Sequence, residues 1–385
     1  MNYPVESAFV NGTTVAEVFR RVDSIEKSAT QIEAHASSAA AALKALVKHF
    51  GENDLLSFAA PESGSHANVD MSVALCLMRE RLAYISPLAD LAFAMQGLGS
   101  FPILLGGSPE LTQEWLPRVR RGDAVAAFAL TEPNAGSDVG GMETTAVESG
   151  DFFVLNGEKV FISNAGVADF YSLFAVTDAS GEKKRLSCFV VPAHTEGLSV
   201  RAVDVLGAHP IGDLSLKNVR VPKKNLIGAA GDGMRIALGT LERFRPTVAA
   251  AALGFAARAL DDTIAHVKSR KQFGKALAEQ QLVQAHLADM ACDVESSRLL
   301  VYRAAVAADQ KKSRHEIART GSMAKLMSTE AAQRVIDCAV QLHGGRGVAT
   351  ATHVARLYQD IRALRIYEGT SEIQKLLIAR EVLRP

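Results

Sequence analysis

Cysteine is scarce in this chain and scattered where it occurs. The 385 residues hold four, Cys76, Cys188, Cys292 and Cys338, and no two form a C-x-x-C pair. That spacing argues against a zinc site or a disulfide framework and fits a reducing compartment. Net charge is missing as well, since 42 Lys and Arg balance 42 Asp and Glu. No general field therefore draws nucleic acid or an anionic membrane. The two most basic stretches, 268–275 and 309–316, are short enough to be solvated helix faces. No uncharged run reaches the length of a membrane span, and the alanine-rich 247–260 stretch is too short. Residues 1–30 carry Arg, Glu and Asp throughout and lack the apolar core of a signal peptide. The expectation is a cytoplasmic or organelle-matrix protein without membrane insertion. With 48% hydrophobic and 22% charged residues, the composition is that of a globular chain with one large domain or two to three packed ones.

Three textures follow one another. In residues 1–122 apolar positions recur at helical spacing, as in Val15, Val18, Phe19 and Val22 or Leu43, Leu46 and Val47. A polar loop interrupts at 61–68, and Pro87 breaks the next helical run. In residues 123–230 short segments rich in β-branched and aromatic residues dominate, among them YSLFAVTD, RLSCFVVPA and LSLKNVRVP. DFFVLNGEKVFIS reads as a hairpin turning at Asn156-Gly157. In residues 231–385 long helical patterns return, over 241–268, 279–309, 318–342 and 372–383, with Pro246 placed near a helix start. The expected fold class is α+β: an N-terminal helical domain, a middle β-barrel or sandwich, and a C-terminal helical bundle.

Four motifs carry chemistry, each with a bland reading beside it. ALTEPNAGSDVGG (129–141) leaves a strand for a loop whose amides and hydroxyls can hold a ligand's oxygens, although a strand-to-strand turn uses the same residues. QLHGGRG (341–347) ends a helix. Its paired glycines make a C-cap, or else let the backbone approach a pyrophosphate. No strand precedes it, so it is not a dinucleotide-binding Rossmann turn. RKQFGK (270–275) offers Arg270 for phosphate oxygens and Phe273 for a ring, or simply a charged helix end. RIYEGTSEIQ (365–374) places Glu368 ahead of a helix, with Ser371 and Gln374 spaced as a capping box. Local physics leaves open whether Glu368 partners the helix dipole or acts as a base.

Taken together and in this order, the four motifs resemble the acyl-CoA dehydrogenase family over nearly the whole chain after about residue 70. The resemblance implies an N-terminal helical domain, a β-barrel and a C-terminal four-helix bundle. It implies FAD as cofactor and α,β-dehydrogenation of an acyl-CoA thioester to the trans-2-enoyl product. Glu368 then matches the base that takes the α-proton, while flavin N5 accepts the β-hydride. Phe128, Leu130, Thr131, Phe161 and Ser163 match positions flanking the flavin ring. Arg270, Gln272, Phe273, Gln281, Gln341, Gly344 and Gly345 match residues reaching the FAD of a neighbouring subunit, and Thr370 and Glu372 match further FAD contacts. Ser137, Glu242, Arg245 and Gly369 match the substrate side. Shared cofactor sites imply a homotetramer or at least a dimer, and the family's usual electron acceptor is an electron-transfer flavoprotein. No metal is implied.

The sequence departs from the family pattern in places. Some relatives carry the base immediately before the residue matching Arg245, where this chain has Phe244, which cannot abstract a proton. Glu242 stands where aspartate is usual, Ala351 where an acidic or amide residue is usual, and LGAHPIGD (206–213) lacks a frequent arginine. These departures keep open a carrier-protein-bound acyl thioester, or reoxidation by oxygen. Rivals of another class are a nucleic-acid-binding flavoprotein of the same fold and a non-catalytic, colourless homologue. The segment 86–103, expected to line the acyl pocket, contains no arginine to hold a second carboxylate. Gln96 within it is read either as a partner for a polar substituent or as a helix-surface residue. The small Ala92, Ala94 and Gly97 leave room for a branched or cyclic group, or serve helix packing.

Overall fold

A computed structural model describes residues 12–62, 66, 69–181 and 184–384. The expectations for residues 1–11, and for most of the 61–68 loop, lie outside the described residues. In chain order the helices before the sheet are α1 (Gly12–His35), α2 (Ala39–Glu52), α3 (Leu56–Ala59), α4 (Met71–Ile85), α5 (Pro87–Gly106) and α6 (Pro109–Arg120). Their starts follow from the sequence. Ser38 and Ser108 accept hydrogen bonds from the amides three residues on, capping α2 and α6, and Pro109 opens α6 with φ already set. By length and composition α5 is apolar enough to cross a membrane, with mean hydropathy 1.5, yet 72% of that window is buried inside the protein.

The strands are β1 (Ala126–Ala129), β2 (Thr145–Ser149), β3 (Phe152–Ser163), β4 (Phe170–Asp178), β5 (Arg185–Pro192), β6 (Leu198–Ala202), β7 (Ile211–Pro222) and β8 (Leu226–Ile227). They form one mixed sheet in the order β6-β7-β3-β2-β4-β5-β8, with β1 parallel to β4. β1 pairs with the start of β4 and β2 touches it further along, at Thr145 opposite Val176. The 130–144 loop is therefore an excursion between two strands that share one edge of β4.

The expected hairpin at Asn156-Gly157 is not formed. Residues 152–163 are one continuous strand, paired with β2 on one side and β7 on the other. Gly157 serves close approach rather than a turn, because a Cβ there would lie 2.7 Å from the Thr144 Cα. Two irregularities interrupt the β3–β7 ladder, between Leu155 and Gly157 and between Lys159 and Ile162. The first shifts the inward face of β7 from Leu214 and Leu216 to Val219 and Val221, all of which join Phe153, Leu155 and Tyr171 in the core.

After the sheet come α7 (Gly233–Ser269), a two-stranded ribbon of β9 (Lys271–Gln272) and β10 (Lys275–Ala276), α8 (Gln281–Asp309), α9 (Arg314–His343), α10 (His353–Leu364) and α11 (Ser371–Val382). Pro246 lies inside the 37-residue α7 rather than near its start. Two compact units emerge: residues 1–26, 66–90 and 243–385, and residues 27–65 and 91–242. In the first, α4 and α7 pack closely enough that a Cβ on Gly254 would overlap the Glu80 carbonyl. Asp309, ending α8, accepts from the amides of Ser72 and Val73 at 2.8 and 2.9 Å and so caps α4 from a distance. In the second unit Gln96 is fully buried, accepting from the Ala126 amide and donating to the Ala124 carbonyl, each at 2.8 Å. It is thus neither a surface residue nor available to a substrate.

Candidate active site

The carboxylate raised by the sequence stands in a short turn between α10 and α11. Glu368 has φ +53° and Gly369 φ +93°, so two successive residues are left-handed. For a glutamate this conformation is uncommon and persists only where neighbours hold it. The holding groups are visible. Gln374, fully buried on α11, donates to the carbonyls of Glu368 and Gly369 at 3.3 and 3.0 Å, and Lys325 of α9 donates to the Gly369 carbonyl at 2.8 Å. The α11 cap lies one residue earlier than expected. Thr370 accepts from the Ile373 amide at 3.3 Å, while Ser371 donates to Glu330 at 2.5 Å. Position 371 was the natural choice in sequence because Gln374 follows at box spacing, but that glutamine reaches back to the turn instead.

Glu368 as a whole is half-buried, yet its Oε2 is shielded from solvent and has no hydrogen-bond partner. Burial pushes its carboxyl above the usual range, opposed by the cations of Arg79, Lys325 and Arg245 and reinforced by Asp90. Arg79 is itself neutralised: its Nε and Nη2 donate to Asp90 at 2.8 and 2.7 Å, and its Nη1 donates to Thr247 at 3.0 Å. It also hydrogen-bonds Tyr367, the residue before Glu368, whose phenol burial pushes far up. The result is a carboxylate with an unsatisfied oxygen and an affinity for protons above that of a free glutamate, the properties a general base needs.

The second unit contributes a separate cleft of about 560 Å³, lined by Thr131, Pro133, Gly136, Val160, Phe161, Arg201 and Asp213 among others. The second irregularity of β3 explains it. Phe161 has φ +55°, its amide donates to Asp213 at 3.1 Å, and its ring is 61% exposed. A bulge has turned an aromatic outward. Thr131 is tied to the same place, its carbonyl accepting from the Val160 amide at 2.9 Å. Below them lies an ion pair the sequence did not reveal. Lys159, fully buried, donates to Glu132 at 2.7 Å and to the Leu130 carbonyl at 3.2 Å. Glu132 also accepts from the amides of Glu143 and Thr144 at 2.6 and 3.1 Å, closing the base of the loop. Ser163 shares a 2.8 Å hydrogen bond with His209, whose pKa burial lowers to about 4, so the imidazole is neutral near pH 7. A flat apolar floor with an exposed ring and hydroxyl at its rim suits a heteroaromatic group such as a flavin. Phe128 and Leu130 are buried, Phe128 against Phe174 at 5.0 Å, so little more than their backbone is open to a ligand.

The remaining sequence-predicted residues occupy defined places. Ser137 is exposed on the 130–144 loop, and Glu242 and Arg245 are three residues apart on α7. Arg270 follows the last residue of α7 and leads into the β9–β10 ribbon, whose two-residue turn holds Phe273 (φ +50°) and Gly274 (φ +78°), both left-handed. The Phe273 ring is 96% exposed. Gln281 opens α8 and is exposed; Gln341 lies in the last turn of α9, after which Gly344 is the expected C-cap with φ +59°. A Cβ added at Gly345, which follows, would meet nothing within 4 Å, and Glu372 is exposed in the first turn of α11. His343 stacks on His266 at 4.3 Å. Lys325, Arg79 and Asp90 were missed. The only signal for Lys325 was one cation inside the otherwise small and apolar run GSMAKLMS.

Comparison with known proteins agrees with these features. The family descriptions for the acyl-CoA dehydrogenase N-terminal, middle and C-terminal domains match residues 15–123, 127–219 and 231–383. The short-chain specific acyl-CoA dehydrogenase of Mus musculus mitochondria is 40% identical over 353 residues, covering 88% of this chain and 82% of that protein. A glutaryl-coenzyme A dehydrogenase in complex with glutaryl-CoA superposes with TM-score 0.87 at 32% identity, covering 100% and 97% of the two chains. An acyl-CoA dehydrogenase of Bacillus anthracis complexed with FAD does so with TM-score 0.86 at 30% identity, covering 96% and 67%. The chain belongs to the acyl-CoA dehydrogenase family, FAD-dependent oxidoreductases that desaturate acyl-CoA thioesters.

Proposed function

We propose that Glu368 is the base of this dehydrogenase, removing the α-proton of the acyl thioester. The observation that carries the reading is the buried, unpartnered Oε2 held in a left-handed turn among Arg79, Arg245 and Lys325. An α-proton is weakly acidic, so a base of raised proton affinity shortens the uphill transfer. We assign the Glu368 amide as a donor for the thioester oxygen. Bound FAD supplies the acceptor for the β-hydride. We assign Thr131, Phe161 and Ser163 to the flavin ring, with the backbones of Phe128 and Leu130 behind them. Thr370 and Glu372, at the start of α11, are assigned to the cofactor as well.

We further propose that the substrate is a short, uncharged acyl-CoA. The mouse relative is named short-chain specific, and all three nitrogens of Arg79 are engaged by Asp90 and Thr247 rather than open to a second carboxylate. Ser137, Glu242, Arg245 and Gly369 are assigned to the substrate side. Arg270, Gln272, Phe273, Gln281, Gln341, Gly344 and Gly345 are assigned to the FAD of a neighbouring copy in a homotetramer, supported by the exposure of Phe273. An electron-transfer flavoprotein is the proposed acceptor, and 1–122, 123–230 and 231–385 the proposed domains.

The test is anaerobic bleaching of the flavin absorbance against a panel of straight-chain, branched and dicarboxylic acyl-CoA thioesters. Butyryl-CoA is expected to bleach it and glutaryl-CoA to leave it. Glu368→Gln is expected to keep the flavin and lose about 10²–10⁴-fold in kcat. Full turnover by that variant, with flavin bound, would mean that another group is the base.

A further inference from the structure

The cations around Glu368 are not equivalent. Arg79 on α4 is cancelled by Asp90 on α5 through two hydrogen bonds. Lys325 on α9 is different. Its side chain is fully buried, its ammonium donates to the Gly369 carbonyl at 2.8 Å, and among the described residues it forms no ion pair. The charged groups that act on it are Glu368 of the turn, Arg245 of α7, Glu330 of its own helix and Glu372 of α11. Glu330 is held by Arg365 and Ser371, and Glu372 is exposed. Of the carboxylates that act on Lys325, Glu368 acts most strongly, and Lys325 shares it with Arg79 and Arg245.

We propose that Lys325 is a positioning residue for the dehydrogenation, fastening the turn that aims Glu368 and adding, beside Arg79 and Arg245, a positive charge that favours its ionised carboxylate. The proposal rests on the reading of Glu368 as the base. An ammonium is expensive to bury, and a neutral amide side chain such as Gln374 already satisfies the same carbonyl. Holding the turn alone therefore does not account for a charge at this place; support of a neighbouring anion does. Burial lowers the Lys325 pKa to about 8, so the support is present at neutral pH and fades above it. The same pair then sets both limbs of the activity profile, with Glu368 losing its proton at the acid side and Lys325 losing its own at the alkaline side.

The holoenzyme is tested as wild type, Lys325→Met, Lys325→Arg, Glu368→Gln and the Lys325→Met/Glu368→Gln double variant. With butyryl-CoA as probe, kcat/KM is followed from pH 5.5 to 10, and flavin content is read from absorbance. Lys325→Met is expected to retain flavin, to move the acid limb up by about one pH unit, and to lose about tenfold in kcat/KM on that side. Lys325→Arg is expected to restore the acid limb and to remove the alkaline one. A loss of rate with both limbs unmoved would reduce Lys325 to a structural contact and overturn the proposal. Thermal unfolding across the same pH range, as a double-mutant cycle, measures the coupling without any substrate. Additive effects of the two substitutions would overturn the proposal alone, whereas a Glu368→Gln variant that still turns over would overturn the base assignment on which the proposal rests.

Discussion

A glutamate with φ +53° and one orphaned oxygen is an unstable thing to keep, and its cost depends on pH. Because the folded state raises the Glu368 pKa, the native protein bears no penalty below the ordinary carboxylate value. It loses stability as pH climbs through the raised one. Glu368→Gln is therefore expected to match the wild type at pH 4 and to exceed it in Tm at pH 8, as measured by calorimetry. The buried Lys159–Glu132 pair makes the opposite prediction for a broken contact. Lys159→Met leaves Glu132 buried and charged, so it is expected to cost about 3–5 kcal/mol in urea unfolding. Flavin should be lost more readily too, because that pair closes the loop carrying Thr131.

At the scale of elements, the sequence was legible wherever a local pattern decides and misleading wherever a distant neighbour does. The long C-terminal helices, the strands around 170–192 and the C-cap at Gly344 follow from periodicity and glycine placement. Asn156-Gly157 looked like a turn because the pair is the commonest hairpin dipeptide. Its real constraint is Thr144, on another segment, which only the folded sheet brings near. Pro246 looked like a helix start because a proline interrupts a helix unless packing outweighs the lost hydrogen bond. Motifs offered Glu368 and Thr131 as candidates for the proposed site. They did not offer Lys325, Asp90 or Lys159, because a buried charge is recognisable only once its counter-charge has a position. Gly254 gives a test at this scale: Gly254→Ala is expected to destabilise the protein by about 1–3 kcal/mol by pushing α7 off α4. Thr370→Ala should cost about 1 kcal/mol through the lost cap on α11.

For the molecule as a whole, the exposed ring of Phe273 is the feature to follow. A strained two-residue turn that displays a phenylalanine to solvent is costly unless something covers it. On the proposed homotetramer, Phe273→Glu is expected to lower the sedimentation coefficient and to release flavin with it. A third consequence belongs to α5. Its twenty residues, Pro87 to Gly106, are as apolar as a membrane span and are kept from water by burial alone. Each time the chain opens far enough to expose them, it presents a segment that other chains and lipid both accept. Reversible unfolding then competes with capture. The working lifetime of the enzyme at elevated temperature is governed by the rate at which α5 is uncovered rather than by the equilibrium between folded and unfolded forms.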